Sequence, residues 1–171
     1  MQEFEMNRRQ HLALTAGLWL PPLAASLSAC GSQDTAPDLP YTLLNGQSRR
    51  IGAHQGRVLL VNFWATSCST CVREMPHLVS TYQKYQSRGY DTLAVAMSYD
   101  PPDYVSNFAQ TRQLPFAVAL DRDASLARGF GDIRLTPTSI LIDKRGRIVK
   151  RYVGEPDFTA LHTLIEELLA A

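Results

Sequence analysis

The sequence carries almost no net charge. Its 17 Lys and Arg residues nearly balance its 16 Asp and Glu residues, which leaves a formal charge of +1 at pH 7. Proteins that bind nucleic acid concentrate basic residues on one face. The basic clusters here, at residues 49–50 and 144–145, are short and fall in predicted turns. The composition therefore argues against an electrostatic partner, and no nucleic acid is expected.

Cysteine is scarce as well, with three residues in a chain of 171. An odd number cannot form a fully paired disulfide framework. The spacing separates Cys30, near the N-terminus, from the close pair Cys68 and Cys71. There is no second C-x-x-C, and His77 is the nearest further ligand, so a four-ligand structural zinc site lacks its ligands. We therefore expect no metal and no cofactor apart from the Cys68–Cys71 pair itself.

A hydrophobic run of full membrane-spanning length is also missing. After Arg8 and Arg9, residues 12–27 are rich in apolar side chains. Such a run of about 16 positions is short of the roughly 20 that a spanning helix needs, but it suits the apolar region of a signal peptide. The segment Leu-Ser-Ala-Cys that ends at Cys30 resembles the lipobox of bacterial lipoproteins. We predict a signal peptide of lipoprotein type over residues 1–29 and a lipid anchor on Cys30.

The remaining chain then divides into a lipidated cysteine with a polar linker (residues 30–40) and one domain (residues 41–171). Three other interpretations of the N-terminus stay open: an uncleaved membrane anchor, a twin-arginine signal weakened by His11, and a buried apolar helix. Glu3 does not suit a signal peptide, so translation starts at either Met1 or Met6. An exported, membrane-anchored protein that faces the periplasm or the outer surface is the expected result.

Hydrophobic periodicity predicts an α/β domain with a single core. Residues 41–44, followed by Asn45 and Gly46, predict a short strand that enters an N-terminal hairpin. From residue 58 onward the predicted order is βαβαβαββα. Alternating strands and helices imply parallel crossovers with helices on both faces of a mixed sheet. The predicted strands are 58–63, 91–97, 116–120, 139–142 and 148–153, and the helices are 70–86, one from Pro101 and Pro102, 124–130 and 158–169.

The main chemical signal is the pair Cys68 and Cys71, directly after a buried strand and at the start of a helix. Unpaired N–H groups and the positive end of the helix dipole favour a thiolate at the first cysteine. The thiolate is the form that attacks a disulfide. We therefore predict that Cys68 is the exposed nucleophile and that Cys71 is the resolving thiol. A structural disulfide in so small a loop would constrain the chain little.

Several of these segments together resemble the TlpA/ResA group of bacterial thioredoxin-like proteins. The likeness rests on the strand at 58–63, Trp64-Ala65, the Cys68–Cys71 motif and Glu74-Met75-Pro76, and it extends from about residue 41 to the C-terminus. It implies a three-layer thioredoxin-like fold with a central βα insertion at 95–120. Known members are extracytoplasmic, membrane-tethered thiol-disulfide oxidoreductases, and several are reductants in cytochrome c maturation.

The resemblance assigns roles to further residues. Thr136 and Pro137 match the family's cis-proline loop, which presents backbone to an extended substrate beside Cys68; the alternative is an ordinary trans turn. Glu74 matches an acidic residue that tunes the cysteines, although such a residue early in a helix can also be a surface group that compensates the dipole. Pro76 matches the proline inside the first helix.

Other positions are structural or depart from the pattern. Trp64 is included among the tuning or substrate-binding candidates, with packing beside the site as its simplest role. Asn62 occupies the position of the buried Asp of thioredoxin itself. Ser67 replaces the aromatic residue that commonly precedes the first cysteine, which leaves the redox potential and the partner open. His54 and His162 are predicted to lie on the surface or on a helix face without a role.

The expected function is therefore reduction of partner-protein disulfides, with re-reduction by a membrane electron-donor thiol protein. The opposite direction, oxidation of substrate thiols, uses the same two cysteines. A Cu(I) chaperone is the alternative from another class, since thiolates suit that ion and Met75 and His77 are close in sequence. A peroxidase is a third possibility: Thr66 precedes Cys68, but the proline that such a site requires is absent.

Overall fold

A computed structural model describes residues 34–171. Every predicted element is present, and each boundary that was predicted lies within two residues of the observed one. The mixed α/β fold with helices on both faces of one sheet is therefore confirmed. In chain order the elements are β1 (Pro40–Thr42), β2 (Ser48–Arg50), a 3-10 helix (Ile51–His54), β3 (Val58–Trp64), α1 (Ser69–Tyr85), a 3-10 turn (Gln86–Arg88), β4 (Tyr90–Ala96), α2 (Pro102–Thr111), β5 (Ala117–Leu120), α3 (Ser125–Gly129), β6 (Thr138–Ile142), β7 (Ile148–Val153) and α4 (Phe158–Ala170).

The main sheet has five strands in the order β5-β4-β3-β6-β7. Strands β3, β4 and β5 are parallel, and β6 and β7 run antiparallel to them. Each parallel pair is joined by a helix, whereas β6 and β7 are joined by a short turn, as parallel and antiparallel connections require. The segment 95–120 supplies α2 and the edge strand β5, which corresponds to the predicted insertion.

Strand β3 lies at the centre of this sheet and is buried along its whole length. Its side chains alternate between the two faces because the period of a strand is two residues. Leu60 and Trp64 pack in the core formed with α1, α2 and α4, whereas Leu59 and Phe63 pack in the second core, with the hairpin and α3. Each large apolar side chain fully buried in this way contributes about 1.5–3 kcal/mol to folding.

The N-terminal part of the described chain lies against the domain. Thr35 pairs with Arg147 as an isolated antiparallel bridge. The Ile148 amide donates to the Asp34 carbonyl at 2.7 Å, and Leu39 packs against the second core. Strand β7 is at the edge of the sheet, so its start offers unpaired backbone groups to this segment. Residues 34–40 were predicted to be polar linker, and they are instead attached to the fold.

Within residues 34–171, no helix combines the length and the apolar character needed to cross a membrane. The predicted signal peptide and Cys30 lie outside the described residues.

Candidate active site

The strand register gathers four loops along one side of the sheet, where β3, β4 and β7 end and β6 begins. We call this side the active-site edge of the sheet. Trp64 at the end of β3 pairs with Ala96 at the end of β4. Thr138 at the start of β6 pairs with Phe63 on β3 and with Val153 at the end of β7. The loops after β3, β4 and β7 and the loop before β6 therefore meet at this edge.

Cys68 caps the N-terminus of α1. Its backbone is extended (φ −90°, ψ 104°), and its Sγ accepts a hydrogen bond from the Cys71 amide at 3.1 Å. Its carbonyl accepts from the Val72 amide at 3.0 Å. The Cys71 amide, one of the free amides of the first helical turn, thus points at the sulfur and favours negative charge there.

The two cysteines form a disulfide, with their Cα atoms 5.2 Å apart. Cys71 is fully buried, whereas Cys68 is partly exposed. Only one of the two sulfurs is therefore open to a protein partner. This arrangement matches the predicted division into an accessible and an inner cysteine, and the chemical roles themselves stay predictions.

The loop before β6 faces Cys68 from across the sheet edge. The Thr136–Pro137 peptide bond is cis, so the alternative of an ordinary trans turn is wrong. The Thr136 carbonyl oxygen lies 3.5 Å from the Cys68 sulfur. The Thr136 hydroxyl in turn lies 3.5 Å from the Tyr99 hydroxyl. The exposed Tyr99 ring therefore stands at the rim of the site.

Glu74 is fully buried on the face of α1 that contacts the sheet. Asn62 on β3 donates to Glu74 Oε1 at 2.8 Å and to the Ser139 hydroxyl at 2.9 Å. Within the described residues, Glu74 Oε2 has no hydrogen-bond partner. Burial raises the pKa of Glu74 from 4.5 to about 7, although the Asn62 hydrogen bond lowers it. The alternative of an exposed, dipole-compensating carboxylate is therefore wrong.

Asp100 is a site residue that the sequence did not indicate. Its buried carboxylate accepts from the Thr66 amide at 2.6 Å and from the Thr66 hydroxyl at 2.5 Å. Because Thr66 lies two residues before Cys68, this pair of hydrogen bonds fixes the loop that carries the accessible sulfur. The only signal in the sequence is that Asp100 follows the end of a predicted buried strand, at the same sheet edge as the cysteines.

Trp64 and His162 have packing environments. The Trp64 ring is fully buried and lies 5.0 Å from the Phe108 ring, so packing beneath the site is its observed position. His162 is half-buried on α4, where its Nε2 lies 2.8 Å from the Thr81 hydroxyl. This agrees with the helix-face prediction.

His54 lies at the opposite end of β3, and the prediction that it is a surface residue is wrong. It is buried, with Nε2 2.8 Å from the Tyr41 hydroxyl and Nδ1 3.1 Å from the Asp91 carboxylate. The imidazole therefore connects the N-terminal hairpin to β4. The local sequence contains no sign of this, because Asp91 is 37 residues away.

The two side chains that a copper chaperone would add have packing environments. Met75 is buried in the core, and the His77 ring packs against Phe158 at 4.9 Å. Over residues 34–171, no three His, Cys, Asp or Glu side chains gather in a way that could hold a metal ion.

Comparisons with known proteins agree with this geometry. The profile of the Redoxin family matches residues 31–165. The chain is 32% identical to the thiol-disulfide oxidoreductase ResA of Geobacillus thermodenitrificans over 160 residues, which are 87% of this chain and 91% of the relative. It is 33% identical to ResA of Bacillus thuringiensis subsp. konkukian over 134 residues, which are 78% and 76% of the two chains.

Solved structures give the same result. A Neisseria meningitidis protein described as a thioredoxin superposes with a TM-score of 0.75 at 39% identity, covering 81% of this chain and 91% of its own. A Chlorobium tepidum protein described as the thiol:disulfide interchange protein DsbE gives 0.72 at 29% identity, covering 80% and 96%. With a Cys68–Cys71 disulfide at the N-terminus of α1, the chain belongs to the Redoxin family and is a ResA-like thiol-disulfide oxidoreductase.

Proposed function

We propose that this oxidoreductase works as a reductase of partner-protein disulfides outside the cytoplasm. Cys68 is the attacking thiol, because it is the accessible sulfur and accepts a hydrogen bond from the Cys71 amide at the helix N-terminus. Cys71 is the resolving thiol, because it is buried one helical turn further on. The two cysteines serve as the redox group, and no further cofactor is required.

The exchange proceeds in two balanced steps. The Cys68 thiolate attacks one sulfur of the partner disulfide, so an intermolecular S–S bond forms while the partner's second sulfur leaves as a thiolate and is protonated. The Cys71 thiolate then attacks Cys68, the mixed disulfide breaks, and the partner's first sulfur leaves as a second thiol. Two electrons pass to the partner, and the Cys68–Cys71 disulfide remains. A membrane electron-donor thiol protein restores the dithiol by the reverse exchange.

Beyond the two cysteines, the observation that carries the proposal is the buried carboxyl of Glu74. Cys71 and Glu74 are three residues apart on α1, so they share the buried face of the helix. A pKa near 7 allows the carboxyl to exchange a proton at neutral pH. Glu74 therefore takes the Cys71 proton when that thiol resolves the mixed disulfide, and returns it when the pair is re-reduced. The resemblance to the group that serves cytochrome c maturation supports the reductive direction.

The loop before β6 supplies the docking backbone. The Thr136 carbonyl, beside Cys68, pairs with an extended segment of the substrate, and Pro137 holds that loop. Trp64 supports the site from the core.

Residues 1–29 act as a lipoprotein signal peptide, and Cys30 carries the lipid. Mass spectrometry of the mature N-terminus tests this directly by the mass of the attached acyl chains.

Trapping tests the roles of the cysteines. Cys71→Ser should accumulate a mixed disulfide with an oxidised protein substrate, because nothing resolves the Cys68 bond. Cys68→Ser is the matched control and should form none. Non-reducing electrophoresis and mass spectrometry read both results. Equal trapping by the two variants, or trapping through Cys71 alone, would contradict the assignment.

A further inference from the structure

A groove extends from the active-site loop along the gap between α1 and α2. It consists of two adjoining cavities of about 380 and 240 Å³ that share Phe108 and Arg112 as lining residues. We refer to the two together as the α1–α2 groove. The first cavity is lined by Thr66, Tyr104, Asn107, Phe108, Thr111 and Arg112. The second is lined by Val72, Met75, Pro76, Val79, Phe108, Arg112 and Leu114.

Two of the lining residues, Thr66 and Val72, are close to the redox pair in the chain. Thr66 in the first cavity lies two residues before Cys68, and Val72 in the second directly follows Cys71. From Val72 to Val79 the axis of α1 advances about 10 Å. An extended peptide covers that distance with about three residues. A substrate joined to Cys68 can therefore place the residues next to its own cysteine in this groove.

The walls indicate the chemistry of that segment. Apolar side chains dominate, and none of the lining residues is acidic. Arg112 is the single charged lining residue, and its guanidinium lies over the Phe108 ring at 5.7 Å. Within the described residues Arg112 has no ion-pair partner, whereas the nearby Arg73 pairs with Glu155 at 3.4 Å. Tyr104, with 66% of its surface exposed, extends the apolar wall outward.

We propose that the α1–α2 groove binds the segment that flanks the reactive cysteine of the protein substrate. A large apolar side chain packs against Phe108 and Tyr104, and an Asp or Glu carboxylate about three to five residues from the cysteine pairs with Arg112. The inference rests on the proposed function, since Cys68 holds the substrate as the mixed disulfide. The groove adds selectivity, and the two exchange steps are unchanged.

Peptide disulfides test this selectivity. Each probe is a short peptide containing Leu and a single Cys that is capped with 2-mercaptoethanol, and one Glu is moved stepwise along the peptide. A twin with Gln replaces each Glu peptide. The reduced full chain should reduce one Glu peptide about two- to fivefold faster than its Gln twin, the ratio that one partly exposed ion pair supports, and high salt should remove the difference.

Charge reversal assigns the preference to one residue. Arg112→Glu should abolish or invert the preference for Glu over Gln. The control is Lys150→Glu, which makes the same change of charge on an exposed residue of β7. This variant should keep the preference for Glu over Gln. Tyr104→Ser should slow all the peptides and leave the fold intact, because that side chain is mostly solvated. Equal rates for every Glu and Gln pair, or an unchanged preference in Arg112→Glu, would overturn the inference.

Two further readouts separate this inference from the function beneath it. Bis(2-hydroxyethyl) disulfide carries no peptide segment that could occupy the groove, so the wild-type chain should reduce it whether or not the groove binds substrate. Failure of the wild-type chain to reduce it would remove the reductase proposal, and the groove proposal with it. A dimer that Tyr104→Ser dissociates, seen by sedimentation, would instead assign the groove to a second copy of the chain and refute a substrate role.

Discussion

Replacing Glu74 by Gln should make the protein more stable at neutral and alkaline pH. In the folded state the pKa of Glu74 is about 7, against an ordinary value of 4.5, because burial penalises the carboxylate. Between these two values the folded state therefore holds a proton that the unfolded chain has lost. Stability consequently falls as pH rises through this window, by about 1.4 kcal/mol per pH unit for a single proton.

The magnitude follows from the width of the window. A pKa that moves from 4.5 to about 7 costs the wild-type chain about 3 kcal/mol by pH 8 relative to pH 4, after which the slope returns to zero. Glu74→Gln lacks this proton equilibrium. The two proteins should be about equally stable near pH 4, and the variant should lead by up to about 3 kcal/mol at pH 8.

Urea unfolding of the oxidised proteins, followed by fluorescence across pH 4–8, measures the difference. Glu167→Gln, which removes an exposed carboxylate on α4, is the matched control. Its curve should run parallel to that of the wild type, because water reaches that group in both states. Parallel curves for Glu74→Gln and the wild type would refute the argument that burial raises the pKa of this carboxyl. They would also refute its proton-transfer role.

Three further substitutions test particular contacts. Asp100→Ala should lower the free energy of unfolding by about 1–3 kcal/mol and speed alkylation of the reduced pair by iodoacetamide, because the loop before the first cysteine loses its anchor; unchanged values would contradict the anchoring role. His54→Ala should lower the free energy of unfolding, measured with urea, by about 1–3 kcal/mol, because the buried Tyr41 hydroxyl is left unpaired. A loss below about 0.5 kcal/mol would contradict the linking role of His54. Asn62→Leu should raise the pKa of Glu74 further, because the hydrogen bond that is lost favours the carboxylate. An NMR titration of the carboxyl carbon measures this pKa, and a lower pKa in the variant would disprove the argument.

The elements that carry the site could be predicted from the sequence because their signals are local. The continuous apolar run of β3 indicates a strand buried on both faces. The placement of Cys68 and Cys71 after that run locates the start of α1. Helix and strand boundaries then fall within two residues of those observed.

The contacts that tune the site could not be predicted in this way, since they join residues far apart in the chain. Thr66 and Asp100 are 34 residues apart, and each alone is an ordinary polar residue. Glu74 lies on the buried face of α1, where Asn62 on the adjacent strand gives it a hydrogen-bond donor. Local helix reasoning places such a Glu equally well at the surface.

The reduction potential of the Cys68–Cys71 pair, measured by equilibration of the protein against a thiol buffer, tests the central claim most directly. A reductase supplied by membrane electron transfer should have a value near or below about −250 mV, on the thioredoxin side of the scale. A value near about −120 mV, on the side of strong oxidants, would show that the pair oxidises its partners and would contradict the account.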